Sequence, residues 1–106
     1  MHQTLIVARM RPEDTSAVAA VFAESDAGEL PHIVGVKRRT LFQFHDLYFH
    51  LVQSDEDARS RVRRVADHEL FRDVSAKLSV YISPYDPGWQ KPDDAMATPY
   101  DTWEPS

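Results

Sequence analysis

The sequence predicts an α+β fold, a ferredoxin-like sandwich whose elements follow the order βαββαβ. Short runs rich in branched and aromatic residues, typical of strands, alternate with segments whose apolar residues recur at helical spacing. A long strand–reversal–strand stretch occupies the middle of the chain, at residues 33–52. A split βαβ arrangement has its hairpin at this place in the order of elements.

The first strand and the first helix are marked by their flanking residues. The run from Thr4 to Met10 is short, rich in branched residues, and stopped by Arg11-Pro12. Pro12 and the acidic residues after it are typical of a helix start. Gly28 is the expected stop of this helix. Apolar or small residues recur on one face of the helix, at Val18, Val21, Phe22 and Ser25.

The hairpin is the most informative stretch of the chain. Residues 33–44 are predicted as a long strand, His45-Asp46 as a tight reversal and residues 47–52 as the second strand. This register places Leu41 opposite His50. Since side chains alternate along a strand, one face carries Arg39, Leu41, Gln43, Tyr48, His50 and Val52. The other face carries Thr40, Phe42, Phe44, Leu47, Phe49 and Leu51.

The second half of the chain contains a capped helical region and a short last strand. Residues 54–57 are typical of a helix cap, and the apolar pattern after them continues to Leu78 with an interruption at His68. Residues 80–82 are predicted as the last strand. We therefore expect residues 1–86 to form the domain. Residues 87–106, rich in proline and aromatic residues, are expected to pack as a tail on the domain or on a dimer mate.

The two faces of the hairpin predict self-association. In a single split βαβ domain, helices cover one sheet face and the other face should be polar. Here both faces carry apolar residues, and the Phe-rich face carries the larger ones. A second layer must cover that face, most simply another copy of the same sheet. The sequence therefore predicts a homodimer.

Composition excludes several classes of function. The chain has 106 residues, enough for one core, and it has no cysteine, which excludes disulfides and thiolate chemistry and favours an intracellular address. The net charge of −5 argues against a nucleic-acid partner. The first apolar run is too short for a signal or a membrane span, so we expect a cytoplasmic protein without membrane contact.

Arg39 and His50 are the best candidates for chemistry. In the predicted register they are diagonal neighbours at about 7–8 Å. A fixed guanidinium suits the stabilisation of an enolate or alkoxide, and an imidazole suits proton transfer near neutral pH. Asp26, at the end of the first helix, could act as a base or orient one. The group expected around the substrate comprises Ser25, His32, Tyr48, Leu41 and Phe22.

Structural readings of the same residues remain open. For Arg39, an ion pair with Asp26 or Glu29 is about as probable as a catalytic role, and His50 alone is more often a satisfied histidine in a strand. His45 and His50 would point to opposite faces, which argues against a metal site. The chain has no glycine-rich phosphate loop and no nucleophile elbow.

Several segments together resemble the small aromatic polyketide cyclases of actinomycetes, the tetracenomycin-type enzymes and especially those of spore-pigment clusters. The segments are residues 24–32, Gly35-Val36, Arg38-Arg39 and residues 41–51. The resemblance covers about residues 2–86. It implies a dimeric ferredoxin-like α+β barrel without metal or organic cofactor. It also implies an activity, the closure of late rings of a poly-β-ketone by intramolecular aldol condensation and dehydration beside a type II polyketide synthase.

The resemblance also implies site residues and partners. It points to Arg39, His50 and Asp26 as catalytic, whereas Ser25 stands where the tetracenomycin-type enzyme has a histidine. His32 could replace that histidine. The implied partners are an aromatic polyketide intermediate, a second copy of the chain and, transiently, an acyl carrier protein. Two alternatives share this fold, a cofactor-free monooxygenase that oxidises a polycyclic phenol to a quinone and a non-catalytic dimeric module that binds the intermediate.

Overall fold

The computed structural model describes residues 2–90 and 92–105, and its centre is a four-stranded sheet with the order β2-β3-β1-β4. The strands are β1 (His2–Met10), β2 (Val36–Phe44), β3 (Leu47–Ser54) and β4 (Ile82–Ser83). Neighbouring strands run antiparallel. The predicted α+β class and the order of its strands are confirmed. The short last strand begins two residues later than predicted and ends one residue later.

The helices begin and end at recognisable residues. They are α1 (Thr15–Asp26), α2 (Leu30–Val34), α3 (Ala58–Val65) and α4 (Glu69–Leu78), with short 3-10 turns at Pro12–Asp14 and Pro92–Ala95. The predicted interruption at His68 is the boundary between α3 and α4. There the Nδ1 atom of His68 accepts a hydrogen bond from the backbone N–H of Leu70 at 3.1 Å, which caps α4. Within the described residues, no helix is both long and apolar enough to cross a membrane.

The start of the predicted long strand is wrong. Residues 30–34 form helix α2, and strand β2 begins only at Val36. Pro31 suits the first turn of a helix because its missing N–H has no helical partner to lose. Gly35 ends the helix in the left-handed conformation, with φ of 84°, and its N–H donates to the carbonyl of Pro31. His32 therefore lies on a helix and not at the mouth of a strand.

The register of the hairpin is confirmed. Arg39 pairs with Val52 and Leu41 with His50, and the one irregularity, between Val36 and Arg38, lies before these pairs. His45 takes a positive φ of 54° in the reversal. The predicted alternation of faces therefore holds for the part of the hairpin that carries Arg39 and His50.

The helices cover only one face of the sheet. The core cluster joins β1, α1 and β3 through Ala8, Met10, Val18, Phe22 and Tyr48. The opposite face carries Phe42 and Phe44, which are 50% and 61% exposed. The hairpin thus has an inner face toward the helices, which includes Arg39 and His50, and an outer face without helices.

Part of the tail packs on the domain. Met96 is buried and pairs with Ile6 of β1, and the N–H of Ala97 donates to the carbonyl of Leu5 at 2.7 Å. Tyr100 and Trp103 are exposed. The segment around Met96 therefore extends the sheet along β1 beyond β4, whereas the two aromatic side chains do not pack on the domain.

Candidate active site

A cavity of about 690 Å³ lies between the inner face of the sheet and the helices. Side chains from β1, β2 and β3 form its floor, and side chains from all four helices form its roof and sides. Most of the wall is apolar, and its larger polar residues are Arg39, Tyr48, His50 and Gln90. An apolar cavity with a few fixed polar groups is the usual form of a small-molecule site.

Arg39 enters the cavity wall from β2 and is held in one orientation. Its Nη1 donates to both carboxylate oxygens of Asp26, at 2.7 and 2.9 Å. The guanidinium carbon also lies 4.6 Å from the centre of the Phe22 ring, a cation–π contact. The Arg39 side chain is 14% exposed and that of Asp26 46%. Of the ion pairs considered from the sequence, the one with Asp26 forms, and the carboxylate holds the arginine from the solvent side.

His50 occupies the neighbouring strand and is surrounded by rings. Phe22 and Tyr48 both meet the imidazole edge-on, with ring centres 5.1 and 6.1 Å away. Burial, and to a smaller extent the positive charge of Arg39, lower the pKa of His50 to about 3, and the negative charge of Asp26 opposes both. The imidazole is therefore neutral near pH 7.

Two nitrogens of this pair stand out because they are buried and unpaired. Neither Nε of Arg39 nor Nε2 of His50 has a hydrogen-bonding partner among residues 2–90 and 92–105. A buried polar group without a partner costs about 1–3 kcal/mol, so such groups call for an explanation. The guanidinium N–H is a donor, and the imidazole nitrogen is a donor or an acceptor according to tautomer. Together they can bind and polarise an oxygen atom of a ligand.

Three of the residues expected around a substrate line the cavity. Phe22 and Ser25 reach it from α1, and Tyr48 from β3. Burial raises the pKa of Tyr48, and the charge of Arg39 opposes this rise, so the phenol stays protonated. Ser25 occupies the side of the cavity beside the last turn of α1.

The other two expected residues lie elsewhere. His32 is exposed on α2 and does not line the cavity, because the segment is a helix that turns this side chain outward. Leu41 pairs with His50 but packs against the core cluster beside the cavity. No three histidine or acidic side chains in the described part of the chain lie close enough together to hold a metal ion.

The inference from sequence missed Met96. This residue of the tail lines the cavity together with Gln90 and Ala95. Its signal in the sequence is weak, a single large apolar side chain within a polar, proline-containing stretch. Its pairing with Ile6 of β1, a contact far apart in the sequence, brings it to the cavity.

The fold and the cavity define a small α+β protein of the dimeric α+β barrel fold with a site for an apolar ligand. A family model described as polyketide synthesis cyclase matches residues 2–104, and the chain belongs to this family. It is therefore an enzyme of the polyketide cyclase class. The family resemblance noted from the sequence is confirmed.

Relatives from Streptomyces match over nearly the whole chain. An uncharacterised Streptomyces coelicolor protein is 55% identical over 106 residues, covering 98% of this chain and 96% of its own. The polyketide synthase CurG of Streptomyces cyaneus is 47% identical over 105 residues, 98% of both chains. Tetracenomycin F2 cyclase of Streptomyces glaucescens is 42% identical over 102 residues, 96% of this chain and 94% of its own.

The structure of tetracenomycin F2 cyclase, a type-II polyketide cyclase, matches this fold closely. The two structures superpose with a TM-score of 0.93 at 40% identity, and the alignment covers 100% of each chain. The curled antiparallel sheet with helices on one face is thus common to both proteins.

Proposed function

We propose that this cyclase closes late rings of a poly-β-ketone intermediate by intramolecular aldol condensation and dehydration, in a type II pathway to a pigment or an antibiotic. The observation that carries the proposal is the pair of buried, unpartnered nitrogens, Nε of Arg39 and Nε2 of His50, in a largely apolar cavity. The Nε–H of Arg39 suits a carbonyl oxygen on which negative charge develops, and Nε2 of His50, in the tautomer that makes it an acceptor, suits proton transfer. The family membership of the chain supports the same chemistry.

The reaction consists of a condensation and an elimination. A base removes a proton from a methylene flanked by two carbonyls, and the resulting carbon attacks a carbonyl carbon elsewhere in the same chain. A carbon–carbon bond forms, the C=O π bond breaks, and the oxygen takes up a proton. Loss of that hydroxyl with a proton from the adjacent carbon releases one water and leaves a double bond. No electrons leave the substrate, so the reaction needs no redox cofactor.

Arg39 polarises the carbonyl that is attacked. Its Nε–H donates to the oxygen as charge builds up there, inside a cavity where the apolar wall strengthens the interaction. Asp26 acts as a positioning residue. Both of its oxygens accept from Nη1 of Arg39, which leaves Nε for the ligand and fixes the plane of the guanidinium. This engagement, together with its exposure, makes Asp26 a poor candidate for the base.

His50 transfers the proton. The neutral imidazole that burial maintains at pH 7 is the form that can accept one. A substrate with a developing enolate brings negative charge beside the ring and raises its basicity during the reaction. The imidazolium then returns the proton to the alkoxide or to the departing hydroxyl. Since a methylene between two carbonyls is already acidic, a base of modest strength suffices.

The apolar wall orders the substrate. Phe22, Tyr48 and Ser25 line the cavity beside the Arg39–His50 pair. A flexible poly-β-ketone can close several rings, and holding it in one geometry addresses entropy and orientation together. The small number of polar groups limits the places where its carbonyls can be held, and thereby determines which carbon attacks which.

The outer face of the sheet supports the proposal that the enzyme is a homodimer. Phe42 and Phe44 are half exposed or more, and Val7, Phe49 and Leu51 on the same face are partly exposed. A face of this composition is typical of a surface that another protein layer covers. A second copy, related by a two-fold axis, would present the same face to it. Transient contact with an acyl carrier protein and a cytoplasmic location complete the proposal.

The test is the reaction of the purified enzyme with a bicyclic or tricyclic poly-β-ketone intermediate. We expect faster ring closure than in buffer, one regiochemistry, loss of one water per product and no oxygen consumption. Oxygen uptake in proportion to product would identify a monooxygenase instead. Saturable binding of the intermediate without any acceleration of ring closure would identify a binding module.

A further inference from the structure

The far wall of the cavity is formed by the tail. Met96 is 7% exposed, pairs with Ile6 and lines the cavity. The backbone bond from Ala97 to Leu5 anchors the segment on one side of it. On the other side, the N–H of Gln90 donates to the carboxylate of Asp94 at 3.0 Å, which closes the loop around the 3-10 turn. Met96 is therefore held beside β1 by the backbone on its C-terminal side and follows a closed turn on its N-terminal side.

Met96 and His50 line the same cavity and flank strand β1, with His50 on the neighbouring strand β3 and Met96 in the tail. His50 pairs with Ile6, and Ile6 pairs with Met96, so the three residues form one row across β3, β1 and the tail. Directly paired residues point to the same face of a sheet. Two strand spacings separate the Cα atoms of His50 and Met96 by about 10 Å. Arg39 lies one strand further from Met96 than His50 does.

The cavity thus has one end at Arg39 and His50 and another end at the tail. Arg39 and His50 hold the reacting carbonyl at one end, and the part of the substrate not yet reacting must extend along the sheet away from them. In that direction the sheet ends at the tail, where the thioether side chain of Met96 stands in the wall. A methionine fills such a space well because it is long, unbranched and adaptable.

We propose that Met96 is a specificity-determining residue that limits the number of fused rings the cavity accepts. The inference rests on the proposed function, because it assumes that the substrate is a growing polycycle held at Arg39 and His50. A smaller residue at this position lengthens the cavity, and a larger one shortens it. The reacting end is unchanged in either case.

The experiment compares two aromatic probes of different length, tricyclic 1,8-dihydroxyanthraquinone and tetracyclic 5,12-naphthacenequinone, by calorimetric titration of the full chain. With Met96→Phe we expect affinity for the tetracycle to fall about tenfold or more, because an added ring must overlap the bulkier wall. Affinity for the tricycle should change less than twofold. With Met96→Ala the ratio of the two affinities should shift in the opposite direction, in favour of the tetracycle.

The control is Ala97→Ser, a neighbouring change in the same segment at a residue that does not line the cavity. It should leave the ratio of the two affinities at the wild-type value. If the role of Met96 were merely structural, its substitution would weaken the binding of both probes equally. An unchanged ratio of the two affinities in Met96→Phe and Met96→Ala would overturn the inference. Ring closure by the same variants separates the two proposals. If Met96 variants cyclise with an unchanged preference for substrate length, only the size limit fails, whereas a wild-type enzyme that does not cyclise removes the proposed function.

Discussion

The inner and outer faces of the β2–β3 hairpin are made by the same strands and differ in almost every physical respect. On the inner face, Tyr48 and Val52 are 4% and 6% exposed, and a charged arginine lies among rings. On the outer face, Phe42 and Phe44 are exposed and no helix covers them. Successive residues such as His50 and Leu51 belong to different environments.

The difference shows how a small chain can separate a ligand cavity from an exposed apolar surface. Alternation along a strand sends neighbouring side chains to opposite faces, so one hairpin can supply both a reaction site and a contact surface. The inner face accepts Arg39 because Asp26 pairs with it from the solvent side, which avoids an uncompensated buried charge. The outer face needs no polar group, because another protein layer can cover it.

The largest expected effect contrasts adjacent residues that receive the same substitution. His50→Gln removes the group that we propose transfers the proton, and it should lower the rate of ring closure by about 10²–10⁴-fold. Leu51→Gln should leave the rate near that of the wild type when the protein concentration keeps it associated. Single-turnover kinetics with a purified intermediate measures both. Equal rates for His50→Gln and Leu51→Gln would remove the distinction between the faces.

The next effect concerns the outer face. In the proposed homodimer, Phe42→Glu removes apolar area from both copies and adds a negative charge to each of the two facing surfaces. The dissociation constant of the homodimer should therefore rise about 10²-fold or more. Sedimentation velocity over a range of concentrations measures it, with Phe42→Leu as the control that keeps the dimer. A wild-type chain that sediments as a monomer at micromolar concentration would contradict the assignment of this face.

A smaller effect is expected from removing the ion pair that orients Arg39 on the inner face. Asp26→Asn keeps the size of the side chain but removes the charge that holds Nη1 of Arg39, so the guanidinium samples other orientations. Ring closure should slow by about tenfold, with little change in affinity for the substrate, because the loss is one of orientation. Glu29→Gln, a change at an acidic residue three positions after the end of α1, serves as the control. If Glu29→Gln slows the reaction as much as Asp26→Asn, the positioning role is misassigned.

The smallest effect is a dependence of stability on pH. The folded protein holds the pKa of His50 at about 3, whereas the unfolded chain protonates this imidazole near its ordinary value of 6.5. Unfolding therefore takes up a proton between these two values, and the free energy of unfolding falls as the pH falls through this window. From pH 6 to pH 5 the wild type should lose about 1 kcal/mol more than His50→Gln. Urea titrations at the two pH values measure this difference, and equal losses would show that His50 is not buried in its neutral form.

The hairpin could be predicted because its determinants are local. A short reversal at His45-Asp46 and the alternation of side chains together determine which residues are opposed, and the pairs Arg39–Val52 and Leu41–His50 follow. The partner of Arg39 was among the expected ones, because the end of a helix that packs on the sheet brings Asp26 to the same edge. The roles of these residues in the reaction remain proposals.

The parts that could not be predicted depend on weak or non-local signals. Residues 30–34 are a short segment, apolar except for His32, that suits a buried strand or a short helix equally well by periodicity. Pro31 at the start and Gly35 in the left-handed conformation at the end decide in favour of the helix. Met96 belongs to a segment without periodicity, and only backbone hydrogen bonds to β1 bring it to the cavity.

The central claim is that Arg39 and His50 together determine which ring forms on the inner face. The most direct test is the regiochemistry and rate of ring closure of one purified intermediate by Arg39→Ala and by His50→Ala, compared with the wild type and with spontaneous cyclisation. We predict that each variant is slower and that its product ratio shifts toward that of the spontaneous reaction. Wild-type rates and product ratios in both variants would contradict the claim.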